Sequence, residues 1–191
     1  MSEITDVLRF WFGAPESPEL GRARKCWFEK SAAFDAEIRS QFVDIHERAV
    51  AGRLSHWERT PHAALALTVV LDQFSRNMFR GEPLAFAADP LALRVVRRMI
   101  DHGFDGLLRP VERWFAYLPF EHAEDLAAQR RSLALFEGLA GDSQSAATIS
   151  NAHRHYEVIA RFGRFPHRNA ILGRESTLAE IAFLSQAGSS F

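Results

Sequence analysis

The chain has 191 residues, 47% of them hydrophobic and 25% charged, with a formal net charge of −1; this composition suits one sizeable core and excludes a disordered or fibrous chain. The near-neutral balance excludes the strongly basic footprint of a nucleic-acid or membrane-surface binder, and no apolar run approaches the ~20 residues of a membrane span. A single cysteine, Cys26, rules out an internal disulfide and fits a reducing compartment. Beside Trp27 and Phe28, it reads as a small core residue and not as a nucleophile. The N-terminal MSEITDVLRFWFG is too acidic and amphipathic for a secretory signal, so a cytoplasmic location is expected.

Helix signals follow one another along the chain. Ser2 can cap a first helix that carries Ile4, Val7, Leu8 and Trp11 on one face and stops at Gly13. Phe34, Ile38, Phe42, Ile45 and Ala49 form a second stripe, with Gly52 after it. Thr60–Pro61 pairs an N-cap with a proline at the first helical position and opens a long helix ending at Gly81. Asp89–Pro90 repeats the device, with Val95, Val96, Met99 and Ile100 inward and Gly103 at the stop. Pro110 opens a helix through Trp114, and Pro119 is expected to break it. Leu126, Leu133 and Phe136 mark the next helix. Ile149, Ala152, Tyr156 and Ile159 mark another, ending near Gly163. Thr177 and Glu180 make a capping-box pattern for a last helix that buries Ile181 and Leu184. No segment shows sustained two-residue alternation, and no fixed repeat period is visible. The expected architecture is a single all-α domain over residues 1–191, with about eight or nine helices joined by short turns.

Three polar clusters stand out. In DQFSRNMFRG, Asp72, Arg76 and Arg80 lie at i, i+4 and i+8, with Gln73 and Asn77 beside them, on a helix that is apolar on two arcs upstream. A helix buried between neighbours places such a row in a cleft; on a solvated helix end it would be an ion-pair ladder. In YLPFEHAEDLAAQ, the break at Pro119 gathers Glu121, His122, Glu124 and Asp125 at a helix N-terminus, where the helix dipole favours carboxylates. His122, titrating near neutral pH, is a possible acid–base group there.

The third cluster, RFGRFPHRNAILGR, carries Arg161, Arg164, Arg168 and Arg174, with His167 and Asn169. Lys25 and Lys30 are the only lysines among 23 basic residues, and each arginine is a permanently charged planar fork suited to carboxylate or phosphate. Past Gly163 the chain leaves its helix, and Pro166 is expected to hold FPHRN extended. Phe162, Phe165, Ile171 and Leu172 should tie this loop to the core and aim its guanidinium groups. Arg161 is expected to pair with Glu157 one turn away. Arg168, with no acid near it in sequence, is expected to stand ready for an external anion, so that replacing it costs little. The Asp72 row and this loop are expected to meet, with Asp72 pairing with a loop arginine, because buried charge must be compensated. His122, His153, His155, His167 and Glu157 are metal-ligand types, but neither an HExxH pair nor a CxxC occurs. No metal and no cofactor is expected.

LALTVVLDQFSRNMFRG, YLPFEHAEDL and RFGRFPHRNAILGRESTLAE resemble the signature segments of an uncharacterised bacterial family, number 924 among the domains of unknown function. The likeness runs from VLRFWFG to AEIAFLSQ. It implies an all-α fold of the tetratricopeptide-like superhelical class, a stack of antiparallel helix pairs. It implies no activity, substrate or catalytic residue.

Two functions are therefore expected from the residues themselves. One is a binding module whose groove, lined by Asp72, Gln73, Arg76, Asn77, Arg80, Glu121, His122, Arg161, Arg164, His167, Arg168 and Asn169, grips a carboxylate, a phosphate or an acidic peptide. The other is an enzyme for a small molecule, with His122 or His167 as acid–base group and the arginines stabilising negative charge. The binding module requires an open groove; the enzyme requires a carboxylate within hydrogen-bond reach of His122 or His167. Trp27, Trp57 and Trp114 suit either a core or a subunit interface.

Overall fold

Pro61 presets φ at the start of a helix in which every residue from Ala63 to Val69 is buried. Such a segment has to be enclosed on all sides, and the fold is organised around it. In the computed structural model, which describes residues 2–189, the elements are α1 (Glu3–Phe12), α2 (Ala32–Val50), α3 (Pro61–Val69), α4 (Ser75–Met78), α5 (Leu84–Ala87), α6 (Asp89–Asp101), α7 (Pro110–Glu121), α8 (Leu126–Glu137), α9 (Ala146–Phe162) and α10 (Leu178–Leu184). The protein is all-α, without a strand among the described residues. Helices α1, α6 and α7 pack on α3, while α7, α8 and α9 pack on one another in chain order. Trp11, Phe12, Phe42, Phe74 and Phe115 fill the centre, and Trp57 and Trp114 are buried with them.

Some caps form as their chemistry dictates, although Thr60 makes no side-chain cap bond at the start of α3. Ser2 accepts the Thr5 N–H, and Thr177 and Glu180 cap α10 reciprocally. Gly163 ends α9 in the left-handed conformation at φ 70°, which a side chain would strain.

Five local expectations need correction. The helix begun at Pro61 does not run regularly to Gly81: Val70–Phe74 is a π turn joining α3 to α4, which ends at Met78. The wider turn rotates the following face, so Arg80 leaves the row of Asp72 and Arg76. Pro119 does not break its helix but sits inside α7, two residues from the end. A mid-helix proline costs ~3 kcal/mol; burial of Trp114, Phe115, Tyr117 and Phe120 offsets it, and Gln129 Nε2 donates to the carbonyls of Glu121 (2.6 Å) and Ala123 (2.9 Å) at the frayed end. Asp89 is the first residue of α6 and Ala88 its N-cap, because ion pairs claim the Asp89 carboxylate. Pro166–Arg168 forms a 3-10 turn, not an extended strand; only Phe165, before the proline, is extended. Ile181 is 53% exposed, since Arg164 and the capping box draw Glu180 inward and turn that face of α10 towards the core.

Candidate functional site

Asp72 occupies the middle of the π turn and is wholly buried. Its Oδ1 accepts from His122 Nδ1 at 2.8 Å and lies 3.1 Å from Arg76 Nη1, while its Oδ2 accepts from Gln73 Nε2 at 2.6 Å. Burial alone would raise this carboxyl; Arg76 and His122 reverse that effect and hold it well below the usual carboxylate range. An ionised Asp72 takes the Nδ1 hydrogen of His122 and leaves the lone pair on Nε2. His122 caps the end of α7. Burial, and then Arg76, lower its pKa, so the imidazole is neutral at neutral pH. The His122 side chain is 13% exposed and that of Arg76 19%, which puts their edges at the surface above a buried anion.

The cluster continues outward as alternating charges. Arg76 donates to both oxygens of Asp89, at 2.8 and 3.0 Å, and Arg168 Nη1 reaches Asp89 Oδ2 at 3.3 Å. The Arg168 guanidinium lies between the rings of Phe86 and Phe165, 4.6 and 4.5 Å from their centroids, a cation held by two π faces. Burial and then Arg76 lower its pKa to about 10, which keeps it charged at neutral pH. On the inner side, Glu121 Oε1 is 3.0 Å from His155 Nδ1. Burial lowers His155 to about 3. Burial, with Arg168 beside it, lowers His167, whose ring leans on Phe165, to about 4.

The structure therefore gathers Asp72, Gln73, Arg76, Glu121, His122, His167 and Arg168. It places the other expected residues elsewhere. Asn77 and Arg80 both donate to Asp35. Arg164 is paired with Glu180. Asn169 donates to Ser176 and accepts from Arg174. Arg161 is exposed with its guanidinium over the Phe162 ring, and among the described residues no ion pair joins it to Glu157. The Asp72 row and the arginine loop meet, but through Asp89: Asp72 itself pairs with Arg76 and His122, and among the described residues no ion pair joins it to a loop arginine. The acidic cluster does not gather at one helix start either. Glu121 ends α7, Asp125 caps α8 by accepting from Ala128 N, and Glu124 accepts from Arg174 and from Phe165 N. Among the described residues, no group of three or more His, Cys, Asp or Glu side chains is arranged to hold a metal ion.

Sequence reasoning missed Asp89, Phe86, Phe165 and His155 as members. Asp89–Pro90 has the form of a helix cap, and His155 has the i,i+4 apolar context of a core face. Only the excess of loop arginines over nearby acids pointed to a distant carboxylate.

A family model described as "Bacterial protein of unknown function (DUF924)" matches residues 7–188. The solved structure described as a protein of unknown function, ATU0120, from Agrobacterium tumefaciens is similar at 39% identity, with 95% of this chain and 96% of that chain covered and a TM-score of 0.84. No curated protein matches the chain. The chain belongs to the DUF924 family.

Two outcomes follow from the site's electrostatics. Arg168→Ala leaves Asp89 with one fewer donor and empties the space between two aromatic rings. Unfolding by urea should then show a loss of about 3–5 kcal/mol; a loss within about 0.5 kcal/mol would restore the view that Arg168 waits for an external anion. His155 has a lowered pKa, so its contribution is complete above its ordinary value of 6.5 and is lost as pH falls towards about 3. His155→Asn should flatten the acid limb of stability in that window by ~1.4 kcal/mol per pH unit; an unchanged slope would mean that His155 titrates normally.

Proposed function

We propose that the protein is an enzyme acting on a small anionic molecule, with His122 as its acid–base group. The Asp72–His122 hydrogen bond of 2.8 Å carries this reading. A buried carboxylate on Nδ1 fixes one tautomer, presents a basic Nε2 at the partly exposed edge, and stabilises the imidazolium formed when Nε2 takes a proton. His122 carries the role because the Asp72 carboxylate holds its Nδ1. Arg76 and Arg168 supply fixed positive charge beside it for negative charge that develops on a substrate.

The dispersal of the other arginines weighs against an open arginine-lined groove. Arg80 and Arg164 pair with Asp35 and Glu180, outside the Asp72–His122 cluster, whereas Arg76 and Arg168 share Asp89 within it, so these two are the arginines placed to act on a substrate at His122. The chain-order packing of α7, α8 and α9 supports the tetratricopeptide-like stacking implied by the family resemblance in that half of the molecule. Cys26, half-buried with its thiol pKa raised by burial, suits a cytoplasmic location.

The test is a turnover screen of the purified protein against carboxylate- and phosphate-bearing metabolites. His122→Ala should keep the fold and lose about 10²–10⁴-fold in rate. Turnover that survives this substitution would end the acid–base reading. A wild type that turns over nothing yet retains an anion in native mass spectrometry would favour the binding module.

A further inference from the structure

Glu121 has no task in the acid–base reading, yet it lies at the heart of the cluster. It is 2% exposed. Its Oε1 is 3.0 Å from His155 Nδ1, which is also 2.9 Å from the Asn151 carbonyl. A carbonyl only accepts, so Nδ1 carries the hydrogen and the two oxygens share it. Glu121 Oε2 is buried with no hydrogen-bond partner among the described residues.

The groups around it supply no cation. From the π turn it faces the Asp72 anion, from its own helix end the neutral His122, and from α9 the neutral His155. From α8 comes Gln129, whose amide is committed to backbone carbonyls. Arg76 and Arg168 pair with Asp72 and Asp89, and among the described residues the one basic side chain within ion-pair distance of Glu121 is the neutral His155. A carboxylate in such a place, one oxygen unsolvated and a like charge beside it, costs more than holding a proton.

We infer that Glu121 is a second proton-holding group of the site, a carboxylic acid kept neutral at neutral pH, and that its ionisation sets the alkaline limit of the site by adding a negative charge beside His122 and Asp72. It is a positioning residue that acts through His122, and its consequence for turnover rests on the acid–base reading of His122. Burial, reinforced by Asp72, pushes its pKa up to about 8, while burial pulls that of His122 down. Environments that push two neighbouring groups apart in this way keep one as acid and the other as base. Below that midpoint, a substrate's negative charge meets Arg76 and Arg168 against two carboxylates, Asp72 and Asp89. Above it, a third carboxylate joins them.

The test combines infrared spectroscopy with imidazole NMR on the full-length chain, wild type and Glu121→Gln. Wild type is expected to show a protonated-carboxyl C=O band at neutral pH that disappears with a midpoint near pH 8, and E121Q to lack it. The imidazole shifts of His122 and His155 should inflect at the same midpoint in wild type and not in E121Q. A band unchanged by E121Q, or an alkaline inflection that persists in it, overturns the inference. Should E121Q fail to fold, the wild-type band decides: loss of the band with a midpoint at or below about pH 5, the ordinary carboxyl range, overturns it. If His122→Ala retains turnover while the Glu121 midpoint stands, the acid–base reading fails and the inference survives; a dead His122→Ala with no such midpoint gives the reverse.

Discussion

An anion buried in the middle of a helix is the constraint from which the rest of the site follows. Asp72 lies in the π turn between α3 and α4 with no exposure to solvent, and an isolated carboxylate there would be untenable. Gln73, Arg76 and His122 each give it a hydrogen or a positive charge. Meeting that demand brings the end of α7 against the π turn, makes Arg76 semi-buried, and creates a further need for anionic charge around Arg76. Asp89, at the start of α6, meets it. Arg168 then answers Asp89 from more than seventy residues away. Each charge is explained by the one before it.

The same chain of compensation ties irregular segments to the helical scaffold. A π turn widens the backbone at the residue that carries the buried carboxylate, a feature often found at functional sites. Gln129 caps the carbonyls of Glu121 and Ala123 at the end of α7, and this fixes the place of Glu121 and His122. Phe86 and Phe165 clamp the last arginine between them. A purely structural role would be met more cheaply by apolar side chains, since buried ion pairs seldom add net stability. In the proposed reading, the network ends at a neutral, partly exposed imidazole that is placed for acid–base chemistry.

Much of the scaffold was legible in the residues. Apolar spacing and caps such as Ser2, Gly163 and Thr177–Glu180 locate the helices because these are local effects. Pro119 misled, since the cost of a proline is local but the tertiary burial of α7 that offsets it is not. The π turn was invisible because regular 3.6-residue spacing had to be assumed, and that assumption put Arg80 and Asn77 beside Asp72 when they serve Asp35. In the site, Asp72, Arg76 and His122 announced themselves as polar groups on an otherwise apolar background. Asp89 did not, because an acid before a proline looks like a cap; nor did the sign of Arg168's role, since its partner lies far away in sequence.

In the proposed reading, Asp72 holds His122 as a neutral base with its hydrogen on Nδ1. Nitrogen NMR of the His122 ring at neutral pH tests it most directly. The expected spectrum is that of a neutral imidazole, protonated on Nδ1 and bare on Nε2, with that preference lost in Asp72→Asn. A fully charged imidazolium at neutral pH, or a ring protonated on Nε2 in the wild type, would make the pair a structural ion contact and contradict the proposed chemistry.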